Sequence, residues 1–449
     1  MDYSMEFRQD KRRLWAVRPA CTRFAVASLL LMLLASVAGA QQYQSDEVDE
    51  EAGKLKLTAE QCVKNPARFA QDKTRFIDFF DKYYFPAMTR SSPDELGQLG
   101  RMRDDLFGRF LWATTDENLQ SELTQMAFKK LQPIERNKGK SYHPAVRYNA
   151  VLILGMLDSV YPTAGQQEVP LKEATAELVL IVNFAAEGKP VPPFLVVGAL
   201  VGLQRHVQHI EKLDRATAES IAAAVLKLSG KEVSLPETDA KVVEWIRTQA
   251  ASILARLGNP GANGEVVAAM TNMIAGDTTP KMSLDGRVQV AAMLKQLKLD
   301  GAKIDAKTTA DALLELAFAV AEDEAKEAKT FTNMQLQSGG FGGVAGPSGK
   351  KSRMKFDPAT QEVTLDKRIL LARLTDLQTG LSAFQGLAPA EKQPTFAAVL
   401  AAIAPVLQAA QGTETDISVT GAVEDMEAKV REAVKPGSAP PSDGDANIF

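Results

Sequence analysis

Ile246–Gly258 reads IRTQAASILARLG, and its spacing decides the fold class. With Arg247 as position zero, Ala250, Ile253, Leu254 and Leu257 fall at +3, +6, +7 and +10. At about 3.6 residues per turn these side chains share one helix face. Gly258-Asn259-Pro260-Gly261 then closes the helix, with Gly as C-cap and Pro barring continuation. The same frame recurs at Arg147–Leu157 (RYNAVLILGML) and at Arg287–Leu297 (RVQVAAMLKQL). Each copy starts with Arg, carries an amide at +2 (Asn149, Gln249, Gln289) and sets Leu at +7 and +10.

Each copy has an apolar stripe wider than one helix can hide. Burying its large side chains is worth roughly 1.5–3 kcal/mol apiece, a gain that needs a neighbouring helix pair. A degenerate copy at Pro193–Leu203 (PFLVVGALVGL) replaces Arg with Pro but keeps Ala199, Leu200 and Leu203 at +6, +7 and +10. The four anchors step along the chain by 46, 54 and 40 residues. Helix-pair repeats run at about 40–47 residues, so one step is overlong. An apolar helix is expected before each copy: Leu119–Gln132, Leu171–Ala186, Thr217–Leu228 and Val266–Ile274.

This pattern resembles the HEAT repeat, most closely the short HEAT-like (armadillo-type) form also met in phycobilisome-lyase-type proteins. Val146-Arg147, Ile246-Arg247 and the Ala/Leu/Leu pattern after each carry the resemblance, over residues 115–330. It implies an all-α fold, an α-solenoid of HEAT-like helix pairs whose extended surface binds a partner. It also implies an Asp near the helix-pair turn that pairs with the Arg and forms a ladder. Asp239 and Asp285 stand where such a residue is needed, whereas only Ser141-Tyr-His-Pro-Ala-Val precedes Arg147.

The ends of the chain read as an address and a tail. Lys11-Arg12-Arg13, Arg18 and Arg23 precede the apolar run Phe24–Leu34, and Ala38-Gly39-Ala40 offers a small-x-small cleavage site. That is the layout of a secretory signal peptide, residues 1–40, and the run is shorter than the ~20 residues a membrane span needs. An exported, extracytoplasmic chain (periplasmic or secreted) with no membrane span after cleavage is the expectation. Without residues 1–40, 46 basic residues face 53 acidic ones, a net charge of −7. This acidity without a basic stripe argues against nucleic acid as a partner. Cys62 is then the sole cysteine, so packing and not an intrachain disulfide must hold the fold. It reads as a small buried apolar residue.

Residues 41–57 are polar and acidic and read as a disordered leader. Residues 58–114 read as an N-terminal helical cap rich in Phe (Phe69, Phe76, Phe79, Phe80, Phe85), with Ser92-Pro93 starting its second helix. An exposed aromatic binding platform is the alternative there. After the repeats, residues 331–353 contain SGGFGGVAGPSG and read as a flexible Gly-rich loop. Residues 354–434 suggest a small β-hairpin turning at Asp357-Pro358, followed by helices over Asp366–Phe384, Thr395–Gln411 and Val423–Val434. Residues 435–449, rich in Pro, Gly, Ser and Asp, read as a disordered tail.

The chemical motifs are weak. Gly343–Ser352 (GVAGPSGKKS) resembles a phosphate-binding loop but has Val344 where the count needs Gly. His206 and His209 have the spacing of a two-histidine metal face, yet no further ligand set completes it, and a solvated helix end accounts for them. Asp104-Asp105 and Glu322-Asp323-Glu324 read as solvated faces rather than an acid/base pair in two environments. No catalytic residue, cofactor or metal is implied. Asn149, Gln249 and Gln289 lie at the flank of the apolar stripe, either as ordinary polar flank residues or as an amide ladder meeting an extended peptide or glycan. Two functions follow. One is an exported, non-catalytic scaffold binding a protein or polymer partner in the cell envelope. The other is a helical-hairpin (α/α-toroid) enzyme acting on polysaccharide, which needs His, Tyr or acids converging from several repeats.

Overall fold

Helix accounts for 73% of the structure and strand for 3%, so the chain is all-α in class. The structure is a computed structural model and describes residues 43–137, 141–163, 165–233, 235, 238–338, 354–357 and 362–437. The expected signal peptide, most of the Gly-rich loop, the hairpin turn and most of the tail lie outside the described residues. The chain divides into two compact units. The first runs to Val151 and includes Pro192–Leu195; the second holds Leu152–Val191 and the chain from Val196 on.

In the first unit, α1 (Lys56–Lys64) and α2 (Pro66–Asp78) pack on each other. Asn65 separates them; its side chain accepts from the Ala67 amide at 3.0 Å, and Pro66 presets the first turn of α2. Next come α3 (Pro93–Asp105) and α4 (Glu117–Glu135). The expected start of α3 is realised as a capping box, in which Ser92 donates to Glu95 at 2.6 Å. Two π-helical turns, Phe79–Tyr84 and Leu106–Leu111, extend α2 and α3. They turn extra aromatic rings inward, and Phe80 meets Phe110 edge to face with centroids 4.9 Å apart. Phe69, Phe76, Phe79, Phe80 and Phe85 are all buried, so an exposed aromatic platform is ruled out for them. Cys62 is buried in the same unit, and burial pushes its thiol pKa up.

The expected disordered leader at 41–57 is instead docked from residue 43 onward. Asp46 takes the Tyr142 hydroxyl at 3.0 Å while its own amide donates to Thr89 at 2.7 Å. The Gln44 amide donates to the Ser141 carbonyl at 2.8 Å, and Asp49 caps a short helix, Glu50–Gly53. Local composition predicts disorder here because these partners lie 40 or more residues away in sequence.

Helix α5 (Pro144–Leu154) carries the first frame copy. The second unit then opens with a two-stranded antiparallel ribbon, β1 (Asp158–Val160) with β2 (Val169–Pro170). Helices α6 (Lys172–Ala186), α7 (Pro193–His206), α8 (Arg215–Leu228), α9 (Ala240–Leu257), α10 (Glu265–Ala275) and α11 (Leu284–Met293) follow. Beyond them lies α12 (Ala306–Ser338), which extends helix into the stretch expected to be loop from residue 331. Strands β3 (Met354–Asp357) and β4 (Glu362–Leu365) pair antiparallel, and α13 (Lys367–Gln385), α14 (Gln393–Gln411) and α15 (Asp416–Val434) complete the unit. Helix α9 packs on α11, α11 on α13 and α13 on α14, while α10 packs on α12 and α12 on α15. Among the described residues, α14 is also long and apolar enough to cross a membrane; here Phe396, Val399, Ile403 and Val406 bury its inner face.

Most frame positions behave as the stripe requires, although Leu257, the +10 residue of the leading copy, is only half-buried. Ala250, Ile253 and Leu254 are buried, as are Ile153, Leu154, Leu157, Leu294 and Leu297. Gly258 ends α9 with φ +71°, the left-handed conformation that favours glycine. The frame arginines do something else than pair with Asp. Arg147 Nε donates to the Glu135 carbonyl at 3.0 Å, and Arg287 Nε to the Ile274 carbonyl at 2.7 Å. Each thus closes the C-terminal end of the helix before it, where carbonyls lack intrahelical donors. Arg247 is wholly buried and reaches four carbonyls: Pro280 at 2.8 Å, Thr279 at 2.8 Å, Lys231 at 3.0 Å and Gly230 at 3.3 Å. The expected Asp partners are engaged elsewhere, since Asp239 caps α9 through the Lys241 amide and Asp285 pairs with Arg373.

Candidate functional site

Helices α11 and α13 touch backbone to backbone. A Cβ at Gly380 would come within 2.7 Å of the Ala291 carbonyl carbon, so only glycine permits this spacing. The close contact fixes the walls of a surface groove. One stretch of about 340 Å³ is lined by Gln289, Ala292, Met293, Lys295, Gln296, Asp376 and Thr379. A neighbouring depression of about 280 Å³ shares Lys295 and Thr379 and adds Gln378, Ser382 and Ala383. A third, of about 490 Å³, shares Gln378 and continues onto α14 through Ala404, Leu407, Gln408, Gln411 and Gly412. The first two share walls in the groove between α11 and α13, and the third, between α13 and α14, adjoins the second at Gln378, so the trough consists of two neighbouring grooves on either side of α13.

Amides and hydroxyls alternate with apolar residues along the lining. Charge enters through Lys295, on the 3-10 turn Leu294–Gln296, and through Asp376 on α13. Asp376 is half-buried, and burial raises its carboxyl above the ordinary aspartate range. Its neighbour one turn back cannot serve it. Arg373 donates to Asp285 at 2.7 Å, Asp323 at 2.5 Å and Glu324 at 3.1 Å.

The three amides expected to form a ladder meet different fates. Asn149, in the first unit, is buried and accepts from Arg103 Nη1 at 3.2 Å. Gln249 is half-buried, and Gln289 is exposed in the trough. A repeat position therefore does not fix exposure, because neighbouring helices cover each copy differently. Asp376, Gln378 and Thr379 escape a repeat-based reading because α13 lies outside the frame. Their one local signal is a run of polar residues between the apolar positions Leu374, Leu377 and Leu381.

A second cluster of ionisable groups surrounds the β1–β2 ribbon. Arg205 holds both oxygens of Asp158, at 2.9 and 2.5 Å, and His209 meets Glu168 at 3.1 Å. Burial pushes the Asp158 carboxyl up to about 7, against the opposing pull of Arg205. His206 is not the expected solvated helix end. It is fully buried on α7, with Nδ1 3.0 Å from the Thr175 hydroxyl. Desolvation, with Arg205 adding to it, pushes its pKa down to about 3. Helix α7 ends at His206 and the chain leaves helical geometry at His209, so the two imidazoles take separate partners. Asp158 is 1% exposed with both oxygens occupied, so its pair with Arg205 clamps the ribbon to the end of α7.

No protein-family model, curated protein or solved structure matches the chain.

Proposed function

We propose that this chain is an exported, non-catalytic helical-repeat scaffold, an α-solenoid of HEAT-like pairs that binds a protein or polymer partner in the cell envelope along the trough of α11, α13 and α14. The observation that carries the reading is the trough itself. It is shallow, spans two neighbouring grooves, and sets side-chain amides and hydroxyls (Gln289, Gln296, Gln378, Thr379, Gln408, Gln411) among apolar residues such as Ala292, Met293 and Leu407. Such a lining suits an extended ligand, whose repeating polar groups need many donors and acceptors rather than one deep pocket. Each of α9, α11 and α13 packing on the next supports the solenoid part. The export part rests on the layout of residues 1–40.

The test is capture from envelope fractions by the immobilised chain, compared with a Gln378→Arg/Thr379→Arg variant. Both positions are half-exposed, so the fold should survive, as a melting curve would check. The expected result is a captured partner that the variant fails to hold. Equal capture by both proteins would place binding outside the trough. Polysaccharide cleavage by the purified chain would favour the enzyme reading instead.

A further inference from the structure

We infer that the partner presents a basic side chain, the amine of a lysine or the guanidinium of an arginine within an extended peptide segment, to Asp376. This rests on the trough being the binding face. Asp376 lines the α11/α13 stretch, half-buried, and makes neither an ion pair nor a hydrogen bond among the described residues. A carboxylate partly withdrawn from water without a partner is a standing cost to the free protein. The side chain one turn back that would relieve it, Arg373, is committed to three other carboxylates. Lys295 lines the same stretch but lies beyond ion-pair distance, exposed on its own turn. A ligand cation therefore completes a pair that the fold leaves open. Gln289 and Gln296 flank the carboxylate from α11 and the turn after it. Each offers both an amide donor and an acceptor, as a peptide backbone requires. A neutral glycan would satisfy the amides but leave the carboxylate unmatched.

Met293 is half-buried in this stretch, so its methyl group reports occupancy. The full chain, labelled with methyl-13C methionine, is titrated with two capped pentapeptides differing only at the centre, lysine against norleucine. The lysine peptide is expected to shift the Met293 signal with about tenfold higher affinity, the scale of one charge-assisted hydrogen bond. Asp376→Asn should erase that preference while leaving weak binding of both peptides. Lys295→Met should raise affinity for the lysine peptide by removing a like charge from the same stretch. Because burial raises the Asp376 carboxyl, the preference should also fade on acidification before ordinary aspartates protonate.

Equal affinities for the two peptides, or a lysine preference that survives Asp376→Asn, would overturn the inference while leaving the trough as a binding face. So would a neutral oligosaccharide that shifts Met293 equally in the original chain and in Asp376→Asn. If none of these probes moves Met293, the trough reading falls and the inference falls with it.

Discussion

Arg287 donates to the carbonyl of Ile274 at 2.7 Å, closing the end of the helix that precedes its own. Arg147 does the same for Glu135, and Arg247 gathers four carbonyls from two loops. Arg147 and Arg287 are thus C-terminal clasps on the preceding helix, whereas Arg247 ties the loop after α8 to the loop before α11. Desolvation lowers the pKa of all three, yet each stays charged at any physiological pH because a guanidinium starts far above it.

Removing the largest clasp tests this role. Arg247→Leu removes the guanidinium from four carbonyls inside a packed site; Lys231 keeps the Thr279 amide and Pro280 the Thr278 hydroxyl, while Gly230 and Thr279 lose the donor that Arg247 supplies. The expected loss is about 3–5 kcal/mol, read as a shift in the urea midpoint. Arg247→Lys should recover less than half, since an ammonium cannot span the fork of a guanidinium. Arg287→Lys, where the structure shows one such bond, should cost only about 1 kcal/mol. Equal losses at 247 and 287 would argue against the clasp.

The apolar stripe answers to a different change. Leu254 is 1% exposed, and Leu254→Asp places a charge where no partner exists. Such a group costs several kcal/mol, enough to abolish cooperative unfolding in a marginally stable chain. Gln289→Asp, two places after an Arg of the same frame but exposed, should change stability by less than about 0.5 kcal/mol. A normal melting curve for Leu254→Asp would show the stripe register to be wrong.

What could be read in advance divides along the range of the interaction. The stripe at Ala250, Ile253 and Leu254 was legible because helical periodicity is written within eleven residues. The caps at Ser92 and Gly258 were legible for the same reason. The arginine was conspicuous, but its partners are backbone carbonyls, which leave no mark in the residue pattern, so an Asp was expected in their place. His206 gave a false picture because its cover, Thr175, comes 31 positions earlier on another helix. The trough was legible only at Gln289. Its other wall depends on α13 meeting α11, a contact that Gly380 permits and that nothing near Gly380 announces.

Gly380 is therefore the position from which the trough can be perturbed. Gly380→Ala puts a methyl group 2.7 Å from Ala291 backbone atoms, and backbone cannot swing aside as a side chain would. The expected cost is about 1–3 kcal/mol, with α13 displaced from α11. The Met293 methyl resonance should move even without ligand, because Met293 lines the wall that shifts. An unchanged resonance together with unchanged stability would mean that the two backbones are not in contact.

His206 gives the fold a pH dependence whose sign can be worked out. Its pKa falls from 6.5 to about 3 on folding, so between those values the unfolded chain binds the additional proton. Stability is then intact above pH 6.5 and declines as pH falls below it, by up to about 1.4 kcal/mol per pH unit. Asp158 works in the opposite direction. Its carboxyl rises from 3.8 to about 7, so the folded chain takes up a proton in that range and offsets most of the loss. The clean reading is the difference between the original chain and His206→Gln, which keeps an amide beside the Thr175 hydroxyl but cannot titrate. Stability curves of the two should run parallel above pH 7 and separate progressively from pH 6.5 down, with the original chain losing more. Parallel curves down to pH 4.5 would mean that His206 is already solvated, and its buried place at the end of α7 would have to be given up.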